Sequence, residues 1–111
     1  MEIYDLTDAS GQIVAFEINN AWMSRRGACE VVRAIPRASI LKETASYQIN
    51  REGLFCEFEL DGQRFQIRWP RRDNWGRYWI GSVPPRACNQ LAVVRAAFSH
   101  HKLLFGLDGG A

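Results

Sequence analysis

The period of hydrophobic positions changes along this chain, and each change marks an element. Ile3 to Leu6 form a short apolar run. Asp8-Ala9-Ser10-Gly11 follows with turn chemistry, an Asx-capable aspartate first and a glycine fourth. The chain therefore opens on a hairpin. In its second strand Val14, Phe16 and Ile18 share one face while Ile13, Ala15 and Glu17 share the other; the first set is assigned to the core. Asn19-Asn20 ends the strand.

The period then lengthens. Ser24 is the best helix N-cap in the sequence, and Ala28, Val31, Val32 and Ile35 fall at i, i+3, i+4 and i+7, a single apolar stripe that stops at Pro36. Met23, just before the cap, is placed to reach Ala28 as a hydrophobic staple. Ala38 to Lys42 reads as a strand, with the facing of the adjacent Ile40 and Leu41 undecided and residues 43–50 unassigned.

The clearest signal runs from Leu54 to Trp69, two alternating segments joined by Asp61-Gly62, the dipeptide of a two-residue type I′ hairpin turn. If Leu60 faces Gln63, then Phe58 meets Phe65, Cys56 meets Ile67 and Leu54 meets Trp69 on a core face. The other face then pairs Glu59 with Arg64, Glu57 with Gln66 and Phe55 with Arg68, which predicts an exposed Phe55.

Pro70 stops this hairpin, residues 71–76 read as a polar loop, and Arg77 to Val83 resumes as a strand with Tyr78 and Ile80 on one face and Trp79 on the other. Pro84-Pro85 suits a helix start, and Leu91, Val94 and Phe98 stripe that helix to about Ser99. Leu103-Leu104-Phe105 is expected to pack back on the domain and residues 106–111 to fray. The order is ββαββββα or ββαβββα. The expected class is α+β, a mostly antiparallel sheet of five to six strands with two helices packed on one face.

Composition narrows the class without adding a domain. With 111 residues, 47% hydrophobic and 23% charged, the chain is expected to form one globular domain over 1–111 with a genuine core. The longest uncharged apolar-rich stretch, Ala87 to Val94, is far shorter than the roughly 20 residues of a membrane span. The opening Met-Glu-Ile-Tyr-Asp carries acid where a signal peptide carries Lys or Arg, so a cytoplasmic protein is expected, with no membrane partner. Cys29, Cys56 and Cys88 fit neither a disulfide framework nor a metal knuckle by spacing, in keeping with a reducing compartment.

Charge changes the picture more. The net charge is only +2, yet between Gln63 and Arg86 stand six arginines, Arg64, Arg68, Arg71, Arg72, Arg77 and Arg86, against the single acid Asp73. Within this segment Trp69, Trp75, Tyr78 and Trp79 interleave with Arg71, Arg72 and Arg77. Trp, Tyr and Arg dominate protein interfaces, and stacked rings among arginines also serve single-stranded nucleic acid. The same residues have a plainer use, Trp69 and Tyr78 in the core and arginines stacked from solvent on Trp79. A second cluster breaks a local rule: Arg25 and Arg26 open the first helix, where the backbone favours anions. With Gly27 they compose a candidate anion site, the alternative being a solvated pair with Arg26 bridged to Glu30.

Catalytic signatures are sparse. His100-His101 are adjacent and cannot easily chelate one ion together, and neither CxxC nor HExxH occurs, so no metal or cofactor is expected. Cys88 has no base nearer than those histidines, and Glu57 with Glu59 read as a surface ladder opposite Arg64 and Gln66. The expected function is a small non-catalytic interaction domain. It would bind a protein partner, or a second copy as a homodimer, through Phe55, Arg71, Arg72, Trp75, Arg77 and Trp79. The alternatives are a nucleic-acid-binding module on the same loop with Arg25 and Arg26, and an enzyme with a pocket between sheet and helices.

Overall fold

The computed structural model describes residues 2–44, 53–69 and 76–101, which form six strands and two helices in the order ββαββββα. These are β1 (Ile3–Thr7), β2 (Ile13–Asn19), α1 (Arg25–Arg33), β3 (Ala38–Glu43), β4 (Leu54–Leu60), β5 (Gln63–Arg68), β6 (Arg77–Ser82) and α2 (Asn89–Ser99). The strands make one antiparallel sheet in the order β1-β2-β6-β5-β4-β3. A hairpin and a four-strand meander are thus joined where β6 docks on β2. The expected α+β class with both helices on one face is the one observed. The tail 102–111, including Leu103-Leu104-Phe105, lies outside the described residues.

Local chemistry explains the punctuation. The Asp8 carboxylate accepts the Ser10 amide and hydroxyl and the Gln12 amide, closing the first turn. Asp61 and Gly62 both have positive φ, 49° and 81°, the type I′ geometry whose twist matches that of the flanking strands. Ser24 caps α1 by accepting the Gly27 amide at 3.0 Å, and the stripe Ala28, Val31, Val32, Ile35 is buried throughout, with Met23 beneath it. That face packs on Phe16, Ile18, Phe58, Phe65, Ile67 and Ile80 from the sheet and Leu91, Val94 and Phe98 from α2, one continuous apolar core.

Two expectations need correction. The Pro84-Pro85 pair does not open α2, which begins at Asn89 with Cys88 at its cap. The buried Ser82 hydroxyl accepts the Arg86 amide at 2.9 Å and donates to the Pro84 carbonyl at 3.0 Å, holding residues 84–86 in a turn. The β4–β5 register holds from Leu60↔Gln63 to Cys56↔Ile67, then shifts by a bulge so that Leu54 pairs with Arg68 instead of Trp69. The extra residue is Phe55. It turns inward, is 1% exposed, and meets the Tyr78 ring edge-on at 5.2 Å. A bulge sets two residues against one and bends the strand, so strict alternation fails from there on. Below it the Trp69 amide donates to the Gly53 carbonyl, with Gly53 at φ 74° and so close that a Cβ would stand 1.9 Å from the Trp69 carbonyl oxygen. A second bulge, in β3, answers the question left at Ile40 and Leu41: Ile40 packs on the core and Leu41 faces out.

Candidate functional site

Because opposed residues of an antiparallel ladder share a face, the register defines the side of the sheet away from the helices. Tyr4, Glu17, Trp79 and Arg68 form one row across β1, β2, β6 and β5. The next row is Leu6, Ala15, Gly81, Gln66, Glu57 and Lys42, across all six strands. Where the rows meet, the second is at its smallest, Ala15 beside Gly81. The Trp79 ring lies over that gap, so near that a Cβ on Gly81 would be 2.7 Å from its Cη2. Ala15 is left 1% exposed although no described helix or strand crosses this face.

Two arginines lie against rings of this face, one on Trp79 and one on Tyr4. Arg68 sits 5.7 Å from the Trp79 ring centre, and its Nε donates to Gln66 Oε1 at 2.9 Å. Arg77 lies 3.5 Å from the Tyr4 ring centre and donates through Nη1 to Glu17 Oε1 at 3.3 Å. Glu17 and Gln66 are consequently 7% and 9% exposed, on a face that should be wet. A buried carboxylate is tolerable because a guanidinium is paired to it. The arrangement is a layer of rings and guanidinium planes laid against the sheet.

Charge on the face is mixed. Glu17, Glu57 and Glu59 oppose Lys42, Arg64, Arg68 and Arg77. Part of the basic excess of the 63–86 segment is answered here, Arg77 by Glu17 from β2 and Arg64 by the facing Glu59 of β4.

Of the residues expected to dock a partner, Trp79 and Arg77 lie on this face, Arg77 already engaged by Glu17 and Tyr4. Phe55 does not, because the bulge buries it, and it leaves the docking set. Arg71, Arg72 and Trp75 lie outside the described residues, in the link between β5 and β6. Tyr4, Glu17, Gln66, Arg68 and Gly81 were missed. Gly81 alone carried a signal, since a glycine inside a strand marks a close approach.

The expected anion site at the start of α1 is assembled only in part. The Gly27 amide is occupied by the Ser24 hydroxyl, and a Cβ on Gly27 would meet Met23 Cβ at 3.3 Å, so this glycine serves the staple and cap. Arg25 lies 5.2 Å from the Trp69 ring centre, and Glu30 takes Arg33 at 2.6 Å in place of Arg26. The buried Tyr78 hydroxyl donates to the Met23 carbonyl at 3.1 Å and fixes where α1 begins; burial pushes its phenol up from the usual value. An open groove of about 640 Å³ remains, lined by Arg25, Arg26, Cys29, Glu30 and Arg33 from α1 with Glu43 and Phe55 from the sheet, its Arg33 paired to both glutamates.

Among the described residues there is no group of three or more His, Cys, Asp or Glu placed to hold a metal, and no helix is long and apolar enough to cross a membrane. Set against protein-family models, curated proteins and solved structures, the chain matches none, and the reading of this face rests on its own geometry.

Proposed function

We propose that this chain is a non-catalytic interaction domain that docks a protein partner on the outer face of its sheet, with Trp79 and Arg68 at the centre and Tyr4, Arg64 and Arg77 around them. The observation that carries this is the Trp79 ring over Ala15 and Gly81 with Arg68 against it and Arg77 stacked on Tyr4 in the same layer, on a face no described element covers. Rigid aromatic and arginine anchors lose little conformational freedom on binding, and they are the residues most often dominant in interfaces. Three carboxylates against four cations suit a protein surface of mixed charge better than a polyphosphate backbone. Arg71, Arg72 and Trp75 belong to the same proposal, because the link they occupy joins the strands that carry Arg68 and Arg77.

The test is site-specific photo-crosslinking in the full chain, with a benzophenone side chain at Arg64 on the outer face or at Val93 on α2. One discrete adduct from position 64, lost on adding Arg68→Glu and absent from position 93, is expected. An adduct of twice the chain mass would make a second copy the partner. Equal labelling from both positions, or none, overturns the proposal. Tryptophan quenching by single-stranded DNA or RNA that falls steeply between about 50 and about 200 mM salt would replace it with the nucleic-acid reading.

A further inference from the structure

The helix layer carries a second groove, of a different kind from the one at the start of α1. It lies between the C-terminal parts of α1 and α2 and has a volume of about 520 Å³, and among the described residues that line it none is Asp, Glu, Lys or Arg. Val31 and Ile35 form its buried side, while Val93 stands on the open side, 45% exposed. Alanines at 34, 96 and 97 leave room between them. A concave apolar surface of this kind marks a place where something docks.

The chain itself supplies the occupant. The His100 amide donates to the Ala96 carbonyl at 2.9 Å and the His101 amide to the Phe98 carbonyl at 3.3 Å, so α2 closes with His101 half-buried in the wall of the groove. The next residues are Lys102-Leu103-Leu104-Phe105, with three large apolar side chains in a row. Val93 lies about 12 Å back along α2 from His101, at about 1.5 Å per helical residue. Four residues of extended chain span about 13–14 Å. A chain that reverses at Lys102 therefore carries Phe105 to the level of Val93 and the two leucines to the level of Ala96 and Ala97.

We propose that Leu103, Leu104 and Phe105 lie back along this groove as an apolar strap across the two helices. Walls without ionised side chains accept them without stranding a charge. Position favours the tail over a separate partner of the same chemistry, because a segment on so short a tether is present at an effective concentration in the millimolar range. The strap sits on the helix side of the sheet, and the inference is independent of the docking face on the other side.

The test places a benzophenone side chain at position 105, in place of Phe105, in the full chain at low protein concentration. Irradiation, trypsin and mass spectrometry should show the peptide that begins at Leu103 joined to peptide 27–33 or 34–37, which carry α1, or to 87–95 of α2, in protein with the mass of one chain. Adding Val93→Glu and Ala96→Glu, both at exposed positions, puts two carboxylates into the groove and should abolish the link while circular dichroism stays native. Links to the strands instead, links only to the adjoining peptide 96–102, adducts of twice the chain mass, or no link at all overturn the proposal. So does a link that survives both glutamates. The result from the chain without the glutamates decides by itself where the double variant fails to fold.

Discussion

Substituting Gly81 by alanine tests the layered face without removing any of its groups. A methyl there would stand 2.7 Å from Trp79 Cη2, 2.8 Å from Cζ2 and 2.9 Å from Ala15 Cβ, about 1 Å inside ordinary carbon contact. Ala15 is on β2, hydrogen-bonded on both sides, and cannot retreat. The ring has to swing off the face, taking with it the contact to Arg68. Overpacking of this kind costs about 1–3 kcal/mol, and because Gly81 is not a positive-φ glycine alanine returns about 0.4–1 kcal/mol by restricting the unfolded chain, leaving about 1–2 kcal/mol of destabilisation. In a domain of this length that is roughly a 5–10 °C fall in Tm. Urea unfolding followed by tryptophan fluorescence measures it, with Gly76→Ala as control, since a Cβ at Gly76 meets nothing within 4 Å. In a Trp79→Ala background the penalty should shrink to the Ala15 contact alone, and partner binding should weaken with Gly81→Ala although no interface group is deleted. A Gly81→Ala protein as stable as its parent, with unchanged emission, would refute the placement of the ring and with it the claim that the face is preorganised.

Phe55→Ala should cost about 3–5 kcal/mol by chemical denaturation, as for a buried aromatic, whereas an exposed Phe55 would make it nearly neutral. Ser24→Ala should lose about 1 kcal/mol with the cap to Gly27, and Cys88→Asn should gain about 0.5–1 kcal/mol, since Cys88 caps α2 with no side-chain hydrogen bond; thermal melts of the two variants should move in opposite directions. The Asp8 carboxyl is held below its ordinary 3.8 by the Ser10 hydroxyl first and the Gln12 amide next. Its contribution is therefore fully present above pH 3.8 and is lost as pH falls through the lower folded value. An NMR titration of the Asp8 carboxyl carbon should show a midpoint below 3.8, returning toward it in Ser10→Ala.

What could be read from the sequence follows the range of the forces involved. The Asp61-Gly62 turn, the Ser24 cap and the α1 stripe are set by neighbours within four positions, and each stands where pattern put it. Phe55 did not, because nothing local in Leu54–Leu60 announces a bulge; the alternation is intact as a string, and the shift arises where Gly53 lets the chain pass against the Trp69 backbone. The candidate site failed to show for the same reason at longer range. Trp79 and Arg77 were visible as residue types, but Glu17 and Tyr4 join them only because β6 pairs with β2, about 60 positions away, a choice no turn or period records. That pairing also reverses the meaning of the charge. Six arginines against one acid in 24 residues read as a basic strip, whereas the folded face sets Arg77 on Glu17 and Arg64 opposite Glu59. Part of the excess that pointed toward phosphate is thus met within the sheet, and the proposed docking face sets Glu17, Glu57 and Glu59 among Lys42, Arg64, Arg68 and Arg77, charges of both signs rather than a basic strip.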